Sequence, residues 1–172
     1  MELLICFGIL LLTMALLFLS DCHTLRAINE DAAHAMGQIG TQLSARADAV
    51  LALLALAQGY AGDSMAALAE QVQLRRRIID SGSAPEAARQ QEKLLDDTMA
   101  AVAATAACYP GLREDEAYSR LFGTSDCCEQ MLGTSRLLYN DAVTRLDREM
   151  RRFPASLAAR VCGIEPRAHW EA

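Results

Sequence analysis

The chain opens on a run without a single charge, Leu3 to Ser20 (LLICFGILLLTMALLFLS), bounded by Glu2 and Asp21. It is apolar on every face, whereas the core helix of a soluble domain carries one apolar stripe. Its eighteen residues reach the lower edge of what crosses a ~30 Å hydrocarbon layer as a helix. The pattern then changes. Apolar or small residues recur at Leu25, Ile28, Ala32, Met36, Ile39, Leu43, Ala47, Val50, Leu54, Ala57 and Ala61, in steps of 3 or 4 that average 3.6. That is the period of an α-helix. Glu30, Gln38, Gln42, Arg46 and Asp48 fall between the stripe positions. The spacing predicts one long amphipathic helix from about Thr24 to Gln58. Gly59-Tyr60-Ala61-Gly62-Asp63-Ser64 reads as a break, with Asp63 or Ser64 as the next N-cap.

A second helix is expected from about Met65 to Asp80, with Met65, Leu68, Val72 and Ile79 on its inner face. Ser81-Gly82-Ser83 signals a loop. Ser83-Ala84-Pro85-Glu86 fits a capping box, with Pro85 in the first turn where its missing N–H costs nothing. The third helix turns Ala88, Leu95, Met99, Val102 and Ala106 inward and ends at Tyr109-Pro110-Gly111, because Pro110 disfavours helical geometry at Tyr109. The last runs from about Asp115 to Phe153, with Ala117, Leu121, Cys128, Leu132, Ser135, Tyr139, Ala142, Leu146 and Phe153 as its stripe and Pro154 as its stop. No segment alternates as a strand does. The fold class expected is all-α: an N-terminal transmembrane helix followed by an antiparallel up-and-down four-helix bundle with long first and last helices. The corresponding division is 1–23 anchor, 24–154 bundle and 155–172 C-terminal tail.

Met1-Glu2 supplies no basic n-region, and the apolar run is longer than a signal h-region, so a retained anchor is expected over a cleaved signal. An acylated Cys22 is the third reading, but Asp21 stands where a small neutral residue belongs. Arg26 is the basic side chain nearest the run, and it points the domain towards the cytoplasm. Sixteen Lys+Arg against 22 Asp+Glu leave a net charge of −6. That disfavours nucleic-acid binding, which needs a basic face to displace phosphate counterions.

Several short motifs follow in order: Gln38-Ile39-Gly40-Thr41-Gln42-Leu43, Arg46-Ala47-Asp48, Gln58-Gly59-Tyr60-Ala61, Tyr109-Pro110-Gly111-Leu112, Tyr139-Asn140-Asp141-Ala142-Val143, Phe153-Pro154, and the ending Pro166-Arg167-Ala168-His169-Trp170-Glu171-Ala172. In this order and spacing the chain resembles the LemA family of bacterial membrane-anchored helical proteins. It departs from the family where Ala49-Val50-Leu51-Ala52-Leu53-Leu54 replaces a proline-containing stretch, where Gln58 replaces a lysine, and in having six cysteines. The resemblance implies one anchor, a four-helix bundle and no catalytic activity.

The residues themselves offer little chemistry. Asp31–His34 and Glu30–His34 make half of a di-iron motif, so they read as a solvated helix-surface group. Asp21-Cys22-His23 are consecutive and cannot converge on one ion from a helix; a turn at the membrane boundary is expected there. The cysteines form no CxxC pair, and only Cys128 of Cys127-Cys128 falls on a core stripe. An exported domain could oxidise them, and a cytoplasmic one would keep them as small hydrophobes. No catalytic, cofactor-binding or metal-binding residue is assigned, and no cofactor is expected.

Two basic clusters, Arg75-Arg76-Arg77 and Arg145, Arg148, Arg151 and Arg152, sit near predicted helix C-termini, where cations complement the dipole. An up-and-down bundle with outer helices of ~52 and ~58 Å returns its last helix towards the bilayer. Arg148, Arg151, Arg152, Phe153 and Trp170 are therefore candidates for contact with lipid headgroups. The alternative is dipole complementation with a frayed terminus. The function expected is a non-enzymatic, single-pass protein of the bacterial plasma membrane. It would contact the bilayer through residues 3–20 and present a bundle to a protein partner. The alternative is a bundle that senses a small ligand and relays through a partner.

Overall fold

The computed structural model describes residues 1–170, without the side chains of Glu2, Leu3 and Leu4; Glu171 and Ala172 of the family-like ending lie outside the described residues. Among the described residues there are six α-helices and no strand: α1 Glu2–Ala61, α2 Asp63–Arg75, α3 Pro85–Cys108, α4 Pro110–Arg113, α5 Glu116–Met150 and α6 Ala155–Cys162. The protein is all-α.

α1 runs unbroken through Asp21-Cys22-His23, where a turn was expected. No Gly or Pro lies between Gly8 and Gly37, and the Thr24 hydroxyl donates back to the Ser20 carbonyl at 3.0 Å, so nothing interrupts the helix. All eleven stripe positions are buried except the half-buried Ala61. Gly62 ends α1 with φ of 60°, a conformation open to glycine, and itself occupies the N-cap of α2. The expected cap residues sit one and two positions further on, and the Ser64 hydroxyl donates to the Ala61 carbonyl instead.

α2 stops at Arg75, five residues before its expected end. Ile78-Ile79 is β-branched, which weakens the continuation of a helix. The segment that follows finds partners outside the helix. Gln91 Oε1 accepts the Arg77 N–H at 3.1 Å, and Ile79 is buried. The capping box does not form: Ala84 is the N-cap of α3. Ser83 instead donates its hydroxyl to Asp80 Oδ1 at 2.8 Å and accepts the Asp80 N–H at 2.9 Å. Those hydrogen bonds, with that from the Gly82 N–H, hold the Asp80 carboxyl below its usual value. Pro110 begins the short α4 rather than a bare turn. α5 ends at Met150, four residues before Pro154, whose ring would clash with that carbonyl in a continuing helix. Phe153 is therefore off the core stripe and 74% exposed.

The chain forms two compact units, Met1–His34 with Leu138–Ala172, and Ala35–Leu137. In the first, Leu25, Ile28, Leu146, Ala155, Ala158 and Ala159 make a core, with Phe18, Cys22, Met150 and Ile164 packed against it. The inner face of α6 is alanine throughout, which allows its backbone to approach closely. The segment after α6 is also fixed. Tyr139 donates its hydroxyl to the Ala168 carbonyl at 2.9 Å, Asn140 Oδ1 accepts the Trp170 N–H at 2.8 Å, and Arg167 donates to Asn29 Oδ1 at 2.8 Å. In the second unit α1, α3 and α5 meet around Arg46, and α2 and the 76–84 segment complete the layer. Thr105 of α3 reaches the Met65 sulfur of α2, and Tyr60 packs on Tyr109 with ring centroids 6.2 Å apart.

Candidate functional site

The five residues expected at the bilayer boundary divide into two groups. Arg148, Arg151, Arg152 and Phe153 are exposed. They close α5 and the turn after it. Arg152 reaches Glu149 at 3.3 Å, and among the described residues Arg148 and Arg151 form no ion pair. Trp170 differs from its expectation: it is 2% exposed. Its backbone N–H is held by the Asn140 side chain. A buried indole does not present its ring to headgroups.

α6 adds exposed apolar side chains that the sequence stripe did not include, Leu157 and Val161, one helical turn apart. Its other face carries the alanines that pack on Leu25 and Ile28 of α1. α6 thus packs through its alanines on α1 just beyond the uncharged run, and leaves Leu157 and Val161 exposed. Within the run, Ile5, Phe7, Ile9, Leu10, Leu11, Leu12, Leu16, Leu17 and Leu19 are all more than half exposed. The α1 helix is long and apolar enough to cross a membrane, and its most apolar window is unburied.

The second unit holds a polar centre. Arg46 is 3% exposed, donates to Asp96 Oδ1 and Glu129 Oε2 at 2.7 Å each, and reaches the Ser125 hydroxyl at 3.4 Å. It faces inward because it follows Leu43 by three and precedes Val50 by four, on the buried side of α1. The carboxylates sit at the mouth, about half exposed, so the guanidinium is buried and its partners remain hydrated. One α3 turn away, Glu92 pairs with Arg136 at 3.1 Å. Burial pushes the Glu92 carboxyl above its usual range, against the pull of Arg136. Burial likewise raises the Cys128 thiol and the Tyr118 and Tyr139 hydroxyls above their usual values. Among the described residues no group of three His, Cys, Asp or Glu converges as metal donors.

A surface groove of about 540 Å³ opens beside α3, lined by Arg75, Arg76, Arg77, Lys93 and Leu74 among others. Arg76 is held by Asp48 at 2.6 Å and by Ser44 at 2.7 Å. Leu74 and Ile78 are 76% and 94% exposed. The acidic Asp97 also lines the groove.

No curated protein matches the chain. The family model of LemA matches residues 35–172, which takes in both the Arg46 centre and the Tyr139–Trp170 closure. The chain is a member of the LemA family.

Proposed function

We propose that this protein is a single-pass component of the bacterial plasma membrane, held by residues 3–20, that presents its helical region to a protein partner and catalyses no reaction of its own. The observation that carries the reading is the unburied apolar run of α1, which is continuous with a folded helical unit. Leaving that many aliphatic side chains in water is costly, about 25 cal/mol per Å², and a lipid environment removes the cost. In this reading 1–23 is the anchor, 24–154 an antiparallel up-and-down four-helix bundle, and 155–172 a closing tail. Arg148, Arg151, Arg152 and Phe153, joined by Leu157 and Val161 of α6, face the headgroup layer, each cation contributing about 1 kcal/mol near an anionic surface. The arginine-rich groove with its exposed Leu74 supports a role in interaction. Arg26 supports a cytoplasmic bundle.

Flotation of the full chain with anionic liposomes tests the reading. The wild type floats with lipid, and Leu10→Lys combined with Leu12→Lys leaves it in the dense fraction. Equal flotation of both would overturn membrane insertion. Labelling of the exposed Cys127 with a membrane-impermeant maleimide tests the side. Labelling in inverted vesicles but not in spheroplasts is expected, and the reverse pattern would place the bundle outside.

A further inference from the structure

We propose that Cys22 and Cys162 are a reactive thiol pair that closes to a disulfide on meeting a disulfide oxidant, joining α1 to α6. Their sulfurs lie 3.1 Å apart although the residues are 140 positions apart in sequence. The alignment is imposed by apolar packing. Cys22 packs on the Leu25, Ile28, Ala155, Ala158 and Ala159 core, and Cys162 ends the helix that supplies the three alanines. A disulfide holds its sulfurs about 2.05 Å apart, so closure asks for an approach of roughly 1 Å, within the reach of side-chain rotation. Both thiols are half-buried, so an oxidant can enter; Cys128 is buried, and Cys6, Cys108 and Cys127 are exposed without a thiol neighbour at this distance among the described residues. Asp21 and His23 flank Cys22, and Arg160 stands two residues before Cys162. Cys22 thus stands just past the uncharged run, at the end of the 1–23 anchor.

The reaction is thiol–disulfide exchange with a small disulfide such as glutathione disulfide. The thiolate of Cys162 attacks one oxidant sulfur, forms a mixed disulfide and expels one glutathione thiolate. The thiolate of Cys22 then attacks the Cys162 sulfur and expels the second. The two protons lost by the cysteines pass to the two leaving thiolates. The protein dithiol is oxidised by two electrons and the oxidant is reduced to two thiols. Because the Cys22 sulfur is already beside Cys162, the mixed disulfide does not accumulate. The closed form pins α6 to α1 in an oxidising compartment, and a reducing one leaves the pair open.

The test uses the full chain in detergent micelles with Cys6→Ser, Cys108→Ser and Cys127→Ser, which leaves Cys22, Cys128 and Cys162. After glutathione disulfide treatment, acid quench and alkylation under denaturing conditions, mass spectrometry should show a loss of about 2 Da. One alkylated cysteine and no glutathione adduct should accompany it, and dithiothreitol should restore three alkylated cysteines. Adding Cys22→Ser should abolish the mass loss and trap glutathione on Cys162. Three alkylated cysteines after oxidation, a glutathione adduct retained while both thiols are present, or a mass loss that survives Cys22→Ser would each overturn the proposal.

Discussion

The backbone of Ile79 crosses α1 at Gly40, so closely that a Cβ on Gly40 would overlap the Ile79 carbonyl oxygen and lie 2.8 Å from its carbon. A glycine within a helix ordinarily costs about 1 kcal/mol relative to alanine. Here it is what lets the extended segment after α2 lie against α1. Gly37, three residues earlier on the same helix, has nothing within 4 Å of where its Cβ would be. The two positions should respond in opposite directions. Gly37→Ala should stabilise the protein by about 0.5–1 kcal/mol, and Gly40→Ala should destabilise it by about 1–3 kcal/mol. Urea unfolding followed by circular dichroism measures both. Stabilisation by both alanines would show that Ile79 does not pack there.

Arg46 is predicted to be the most sensitive charged residue of its unit. Arg46→Met keeps much of the buried volume and removes the hydrogen bonds to Asp96, Glu129 and Ser125. Breaking a fully buried pair costs about 3–5 kcal/mol. The carboxylates here are half exposed and regain water, so a loss of about 2–3 kcal/mol is expected. In a double-mutant cycle with Asp96→Asn, the two losses should fall short of additivity. Strict additivity would mean that the pair is not coupled.

Glu92 gives a pH dependence with a definite sign. Its carboxyl is raised in the fold by burial, so folding favours the protonated form. That contribution is fully present below the ordinary glutamate value and is lost as pH rises through the higher folded value. Glu92→Gln imitates the protonated side chain. The stability of the variant relative to wild type should therefore be more favourable near pH 7 than near pH 4. A difference that does not change with pH would contradict the assignment.

The closure of the carboxyl segment on α5 predicts a further loss. Trp170→Ala should cost about 3–5 kcal/mol, as removal of a buried aromatic does. Tyr139→Phe should cost about 1 kcal/mol through the hydrogen bond to Ala168. Wild-type melting of Trp170→Ala would mean that the segment after α6 is solvent-exposed chain.

The helical period made most of this fold legible. The stripe from Leu25 to Ala57 is buried at every position read from spacing, because one-sided burial of a helix leaves a regular trace. The Arg46 centre left none. Its partners stand 50 and 83 residues away, and an arginine among apolar residues has no local mark of what it meets. The early end of α2 was hidden for a related reason. Ile79 is apolar and buried as expected, but it is buried by an extended segment that Gly40 admits. α6 did carry a signal. Pro154 precedes it and Gly163 follows at φ of 65°, the proline-before, glycine-after bracket of a short helix. Ala155, Ala158 and Ala159 between them are too small to stand out as a hydrophobic stripe. Trp170 reads as a boundary residue because an amphipathic ring suits an interface; the Asn140 side chain that holds its backbone stands thirty residues away.

The central claim is that the uncharged run is an anchor still joined to the helical units. Membranes from cells producing the full chain, washed with alkaline carbonate, test it most directly when the retained protein is then weighed intact by mass spectrometry. The account predicts that the protein stays in the pellet with a mass that includes residues 3–20. Release into the supernatant, or a mass corresponding to an amino terminus near Asp21 or Cys22, would contradict it.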